Sequence, residues 1–207
     1  MQLDLHAFAR LRPHLYHVRA LENLPSVRHT GRLEPAAALM RRAGRGDLVR
    51  WRRPFPVTLQ CDGETIVLRD QALLIEEQLS LYREWAFADF IEFMNDHVYF
   101  WPGTDRGPVK SGVELPYRDA STTALTLRIP FEDLLAANPA AEPLFSSVNS
   151  GAMREPGSRR ASRGPHLFRN ALHFSRRPSE VVEVAFRSAI ALPVSASFLH
   201  EGKWVRL

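Results

Sequence analysis

The sequence predicts an α+β domain, on three observations. Apolar residues near the N-terminus recur at helical spacing, those further on alternate at the period of strands, and the strand-like runs are short. Many short strands preceded by helices favour an α+β sandwich with helices packed on the sheets. A doubly wound parallel sheet would need strand and helix to alternate along the whole chain. At 207 residues the chain can bury one good core, so residues 1–207 read as a single domain.

Each element has a local reason. Leu3, Ala7, Phe8 and Leu11 share one helical face, which predicts a leading helix over 3–11. A buried-looking strand follows over 14–19. Asn23 opens a helix over 23–30 that carries Pro25-Ser26 and stops at Gly31. Glu34-Pro35 opens an alanine-rich helix to Arg42. Residues 56–60 and 65–69 flank Asp62-Gly63, a hairpin signal. Arg69-Asp70-Gln71 then leads into an expected helix rich in leucine and glutamate, and a second helix holds Trp85, Phe87, Phe90 and Phe93.

Downstream, 97–101 and 123–130 read as strands, as does 181–186, and Ser197 to Leu207 folds back around Glu201-Gly202 as a last hairpin. Residues 150–165 interleave glycine and proline with arginine and serine, so they read as a long loop or mobile lid. No internal repeat is present.

Composition narrows the class. Hydrophobic residues make up 45% and charged residues 24%, which excludes global disorder. No run approaches the roughly 18 uninterrupted apolar residues of a membrane span. The first residues lack a basic start and apolar run, so no secretory signal is expected. Cys61 is the lone cysteine, which leaves no internal disulfide and no cysteine metal site, and points to a reducing cytoplasm. His97, His166 and His173 have no ligand-like spacing and read as surface or loop residues; no metal is expected.

The charge is +4, and all but Lys110 and Lys203 of the 27 basic residues are arginine. Arg41, Arg42, Arg45, Arg50, Arg52 and Arg53 surround Trp51, and a second group runs from Arg154 through Arg159, Arg160, Arg163, Arg169, Arg176 and Arg177. Planar guanidinium groups suit phosphate and stacking contacts. Nucleic acid is therefore an expected partner, with Arg52 and Arg53 as candidate substrate contacts, against a plain solvated surface.

Three motifs carry candidate chemistry. The first is Leu15-Tyr16-His17, followed by Glu22-Asn23-Leu24-Pro25-Ser26 and Gly31. The second is Val98-Tyr99-Phe100, a strand that offers flat aromatic surface. Core packing is its bland alternative. The third is Glu183 among Val182, Val184, Ala185 and Phe186. A carboxylate in such a strand must face solvent or a cleft, because burying it alone is costly. Glu180 competes from the other face, and both acids could simply solubilise an edge strand. Arg69 ends a strand where it could meet a phosphate or pair with Asp70, and Asn149-Ser150 are candidate substrate contacts that also read as a turn.

These motifs, in this order, resemble the histidine-tyrosine-glutamate branch of the ADP-ribosyltransferase superfamily. The wording over residues 15–33 looks most like the DarT-like toxins that ADP-ribosylate single-stranded DNA. The resemblance implies an ADP-ribosyltransferase-like split β-sandwich and NAD as co-substrate. It makes His17 the ribose contact, and Tyr99 with Phe100 the wall of the nicotinamide pocket. Glu183 becomes the catalytic carboxylate, and Tyr16 and Arg69 further NAD contacts. A mono-ADP-ribosyltransferase acting on nucleic acid, as a toxin or phage-defence effector with a neutralising antitoxin among its partners, is the expected role. A transferase acting on protein and a degenerate module with the fold but no turnover are the alternatives. The sequence departs from the superfamily at Val18-Arg19, where polymerase-type enzymes carry Gly-Thr, and at Trp101-Pro102-Gly103-Thr104. The order Arg-Asp-Gln, Phe-Trp-Pro, Asn-Ser-Gly also resembles an uncharacterised bacterial domain family, which implies no activity.

Overall fold

A computed structural model of the chain describes residues 2–109, 124–152 and 160–207. The Asp4 carboxylate accepts the Ala7 N–H and starts α1 (Leu5–Leu11), which buries Phe8 and Ala9. Beyond Pro13 the chain enters β1 (His14–Ala20). One tight turn leads to α2 (Leu24–Thr30), which ends on Gly31 at φ 61°, a left-handed cap that a side chain would disfavour. Asn23 does not cap this helix. Its amide instead donates to Val67 O (2.8 Å) and accepts from Val67 N (2.7 Å), tying the helix entry to a later strand.

After β2 (Arg32–Leu33), Pro35 precedes α3 (Ala36–Arg42). The hairpin of β3 (Val57–Cys61) and β4 (Glu64–Leu68) turns at Asp62 and Gly63, both at positive φ, as a two-residue turn of this hand requires. The leucine-glutamate helix expected next does not form. Asp70 accepts the Ala72 N–H in a tight turn, Gln71 N donates to Arg53 O, and residues 72–75 cluster their apolar side chains without a helical stripe. The segment instead reaches β5 (Leu79–Leu81).

Then come α4 (Phe87–Asn95), β6 (Val98–Thr104), β7 (Gly107–Pro108), β8 (Ala124–Pro130) and α5 (Phe131–Ala137). Helix α5 is not expected from the sequence; its Phe131 packs edge-on against Phe8 at 5.0 Å. The remaining strands are β9 (Leu144–Ser146), β10 (Ala161–Arg163), β11 (Arg169–Asn170), β12 (Glu183–Phe186), β13 (Ile190–Ala191), β14 (Ser197–His200) and β15 (Lys203–Arg206). Within the expected 150–165 loop, residues 153–159, with Arg154 and Arg159, lie outside the described residues. The part beyond them is not loop: β10 pairs in parallel with β5.

The chain is thus α+β, with a main sheet in the order β11-β9-β12-β6-β1-β8-β14-β15 and β7 on β6. All its pairings are antiparallel. Strand β6 is shared between two halves of this sheet. Val98, Tyr99 and Phe100 pair with β12, whereas Trp101, Pro102 and Gly103 pair with β1. The β1–β6 ladder stops at Tyr16 opposite Trp101, although β1 continues along β8 to Ala20. The sheet therefore forks beyond Tyr16. The main core packs Leu15, Phe100, Leu127, Val184 and Phe186 with α1 and α5, and a smaller core sits between α3 and the β3–β4 hairpin.

Candidate functional site

The fork opens into a cleft of about 340 Å³. Its walls come from the end of β1, the Arg69-Asp70-Gln71 segment, the first half of β6, the 149–151 turn and the start of β12. His17, Tyr99 and Glu183 all line it, and so do Arg53, Arg69, Asn149 and Ser150.

Glu183 is only 2% exposed. One carboxylate oxygen accepts the Ser150 N–H at 3.0 Å. Burial raises its pKa to about 7, opposed by the Ser150 hydrogen bonds and the positive charge of Arg163. Glu180 lies outside the strand, on the turn before it. Its carboxylate accepts the Arg177 N–H at 3.0 Å and pairs with the Arg177 and Arg176 side chains, contacts that lower its pKa. Of the two acids, Glu183 is the one in the cleft.

His17 sits where the ladder has ended. Its Nδ1 lies 2.7 Å from Tyr99 O. A carbonyl can only accept, so Nδ1 carries the hydrogen and Nε2 carries the lone pair. Nε2 is buried and has no hydrogen-bond partner among the described residues. Burial, then the charge of Arg19, depresses the His17 pKa to about 3 against the opposing bond to Tyr99 O, so the ring is neutral. Tyr99 gives its hydroxyl to Met94 O at 2.9 Å, and burial followed by the nearby Glu183 pushes its pKa well up. It lines the cleft, with no proton to exchange near neutral pH.

Other expected contacts fall elsewhere. Tyr16 donates to Thr104 O and packs its ring against Trp204, so it is fully buried away from the cleft. Strand alternation separates it from His17. Phe100 is a core residue, 5.7 Å from Phe186 and 5.4 Å from the His17 ring, which it backs without reaching the cleft. Arg52 donates to Gln71 O (3.3 Å) and Ala72 O (3.0 Å) and does not line the cleft. Arg53 does line it, but is 6% exposed and occupied: it donates to Arg69 O (3.0 Å) and Asn95 Oδ1 (2.8 Å). Arg53 is thus a staple under Arg69-Asp70-Gln71, not a surface cation. Asn149 accepts the Gly151 N–H at 3.0 Å and closes the turn that presents Ser150. His97 is a further correction. It is buried, donates to Phe93 O at 2.7 Å and packs against Phe168, because an imidazole after α4 can satisfy the last helical carbonyls.

The ridge around Trp51 is compensated by carboxylates. Arg41 reaches Glu92 and Asp96, Arg42 reaches Glu34 and Asp62, Arg45 reaches Asp47, and Arg50 reaches Asp89. Sequence reasoning also missed Arg163. Counted there as a surface cation, it is 1% exposed, and its guanidinium donates to Ser150 O (3.1 Å), Asn149 O (3.3 Å) and Ala152 O. It fastens the turn whose N–H holds Glu183. The one signal available was alternation, since Ala161 and Arg163 share a strand face. Among the described residues no group of three or more His, Cys, Asp or Glu gathers to hold a metal, and no helix is long and apolar enough to cross a membrane.

The chain belongs to DUF7002, a family of unknown function, which it matches over residues 13–195. No curated protein and no solved structure matches it.

Proposed function

We propose that this member of DUF7002 is a mono-ADP-ribosyltransferase that consumes NAD, built as a split β-sandwich of the DarT-like kind and acting on nucleic acid as a toxin or phage-defence effector. The observation that carries this reading is the meeting of His17, Tyr99 and Glu183 around one cleft at the fork of the sheet. The cleft fits such a ligand, since a neutral imidazole with a buried, unpartnered acceptor stands there beside a buried carboxylate and a flat aromatic wall.

NAD would supply a ribose carbon that gains oxocarbenium character as nicotinamide departs. The chain's own groups suit that event. The ionised Glu183 faces developing positive charge and stabilises it more in the transition state than in the ground state. His17 accepts a hydrogen bond from a ribose hydroxyl at Nε2 and holds the sugar in place. Tyr99 supplies a flat surface for the leaving ring. Arg69, at the cleft wall, suits a pyrophosphate oxygen. Arg163 and Ser150 keep the Glu183 carboxylate from turning away.

The test is release of nicotinamide from NAD, measured with single-stranded DNA, RNA or bulk protein as acceptor. Wild type should release it with nucleic acid, and Glu183→Gln should be slower by about a hundredfold, the scale of losing one transition-state electrostatic group. Because Glu183 titrates near 7, the wild-type rate should climb as pH rises through about 7 and then level. Labelling confined to protein would move the acceptor. NAD binding without release, unchanged in Glu183→Gln, would leave a binding module only.

A further inference from the structure

Along the 145–148 segment lies a second hollow of about 350 Å³. Ser146 itself pairs with Glu183 across the β9–β12 ladder, so one stretch of chain separates the two sites. The polar wall of this hollow consists of Arg169, Arg176, His166, His173 and serine hydroxyls, and among the described residues no carboxylate lines it. Its floor is apolar, from Phe145, Leu167 and Phe174. Arg169 meets no carboxylate among the described residues, whereas on the ridge around Trp51 four arginines end on acids, as Arg176 does on Glu180.

From this we propose that the hollow binds the phosphates of a single-stranded nucleic acid and delivers that strand past the 146–151 turn to the Glu183 cleft. The second half of the proposal rests on the transferase reading; the first does not. Two guanidinium groups and several hydroxyls around one concavity supply donors to phosphate oxygens. The exposed His173 ring offers a face on which an unpaired base can stack. A concavity of this size takes a strand a nucleotide at a time, whereas a duplex would touch only its rim. Arg176 also reaches Glu180 at 3.7 Å, with the side chain 59% exposed, and an exposed pair of this kind yields readily to phosphate. Arg169 and Arg176 therefore take the acceptor role that the sequence assigned to Arg52 and Arg53.

The experiment is binding of a fluorescent single-stranded DNA oligonucleotide, and of RNA of the same sequence, to the full chain over a series of salt concentrations. Arg169→Ala/Arg176→Ala, both at exposed positions, should weaken binding at least tenfold at low salt. It should also flatten the plot of log affinity against log salt by about 0.7 per arginine removed. Arg45→Ala, taken from the compensated ridge, should leave both unchanged. Absence of binding by wild type, an unaltered double variant, or an equal loss in Arg45→Ala overturns the proposal. Nicotinamide release measured without acceptor separates the two readings. If release persists and the oligonucleotide does not bind, the hollow is refuted and the transferase stands. If the oligonucleotide binds as described and no release occurs, the phosphate site stands and the delivery step falls with the transferase.

Discussion

The cleft and the arginine ridge of residues 41–53 draw on the same kinds of side chain and treat them in opposite ways. On the ridge, Arg41, Arg42, Arg45 and Arg50 each meet a carboxylate at or near the surface. In the cleft, Glu183 is buried against a backbone N–H, and His17 Nε2 has no hydrogen-bond partner among the described residues. Charge density along the chain therefore does not report which charges are available. The ridge is locally neutral and screened. The cleft keeps polar groups incompletely satisfied, at a cost in free energy that the rest of the fold offsets, and this is the usual condition of a binding or reacting site.

The sharpest way to break the comparison is to remove one arginine from each region. Arg163→Met should leave three carbonyls of the 149–152 turn without their donor. At roughly 1–3 kcal/mol per buried acceptor left unsatisfied, the loss is about 4 kcal/mol in urea unfolding. Arg41→Met removes only exposed pairs at 3.5 and 3.4 Å and should change stability by about 0.5 kcal/mol or less. Similar losses in the two variants would erase the distinction.

A smaller effect sharpens it through pH. Burial raises the Glu183 pKa from 4.5 to about 7, so the folded state holds a proton that the unfolded state releases. Stability from this group is present below pH 4.5 and declines as pH rises through 7, by up to about 3 kcal/mol. His17 has the reverse sign. Its folded pKa is depressed to about 3, so its contribution is present above 6.5 and is lost as pH falls towards 3. Subtracting the unfolding free energy of wild type from that of Glu183→Gln isolates the first term. The difference should grow in favour of the variant between pH 5 and pH 8. A difference that does not vary with pH would mean that Glu183 is not held in an apolar setting.

Much of this was legible in the residues. Gly31 and Asp62-Gly63 act through backbone geometry within a few positions, so a local reading finds the helix stop and the hairpin turn, whereas the cap at Asp4, which starts the first helix at Leu5 and not at 3, is missed. The apolar runs at 124–130 and 181–186 likewise mark strands, although the second begins only at Glu183 and both bury consecutive residues, so alternation does not sort their faces. Other features depend on distant partners and left no local trace. Asn23 looks like a helix cap and becomes a clamp because Val67 lies beside it. Arg53 and Arg163 look like surface cations and are buried because Asn95 Oδ1 and the carbonyls of the 149–152 turn converge on them. Tyr16 and Phe100 stand next to cleft residues along the chain and face elsewhere, because alternate positions of a strand point to opposite sides. The helix expected after Gln71 failed for a related reason. Its leucines bury singly, Leu74 and Leu79 inward and Leu73 outward, with no stripe along one side.

The most direct test of the central claim is the nitrogen-15 spectrum of the His17 imidazole, with and without NAD. The account predicts a neutral ring protonated on Nδ1 down to about pH 4, whose Nε2 resonance moves when NAD is added, as an unpartnered acceptor gains a hydrogen bond. A His17 ring that titrates near 6.5, or an Nε2 resonance that stays in place at saturating NAD, would contradict it.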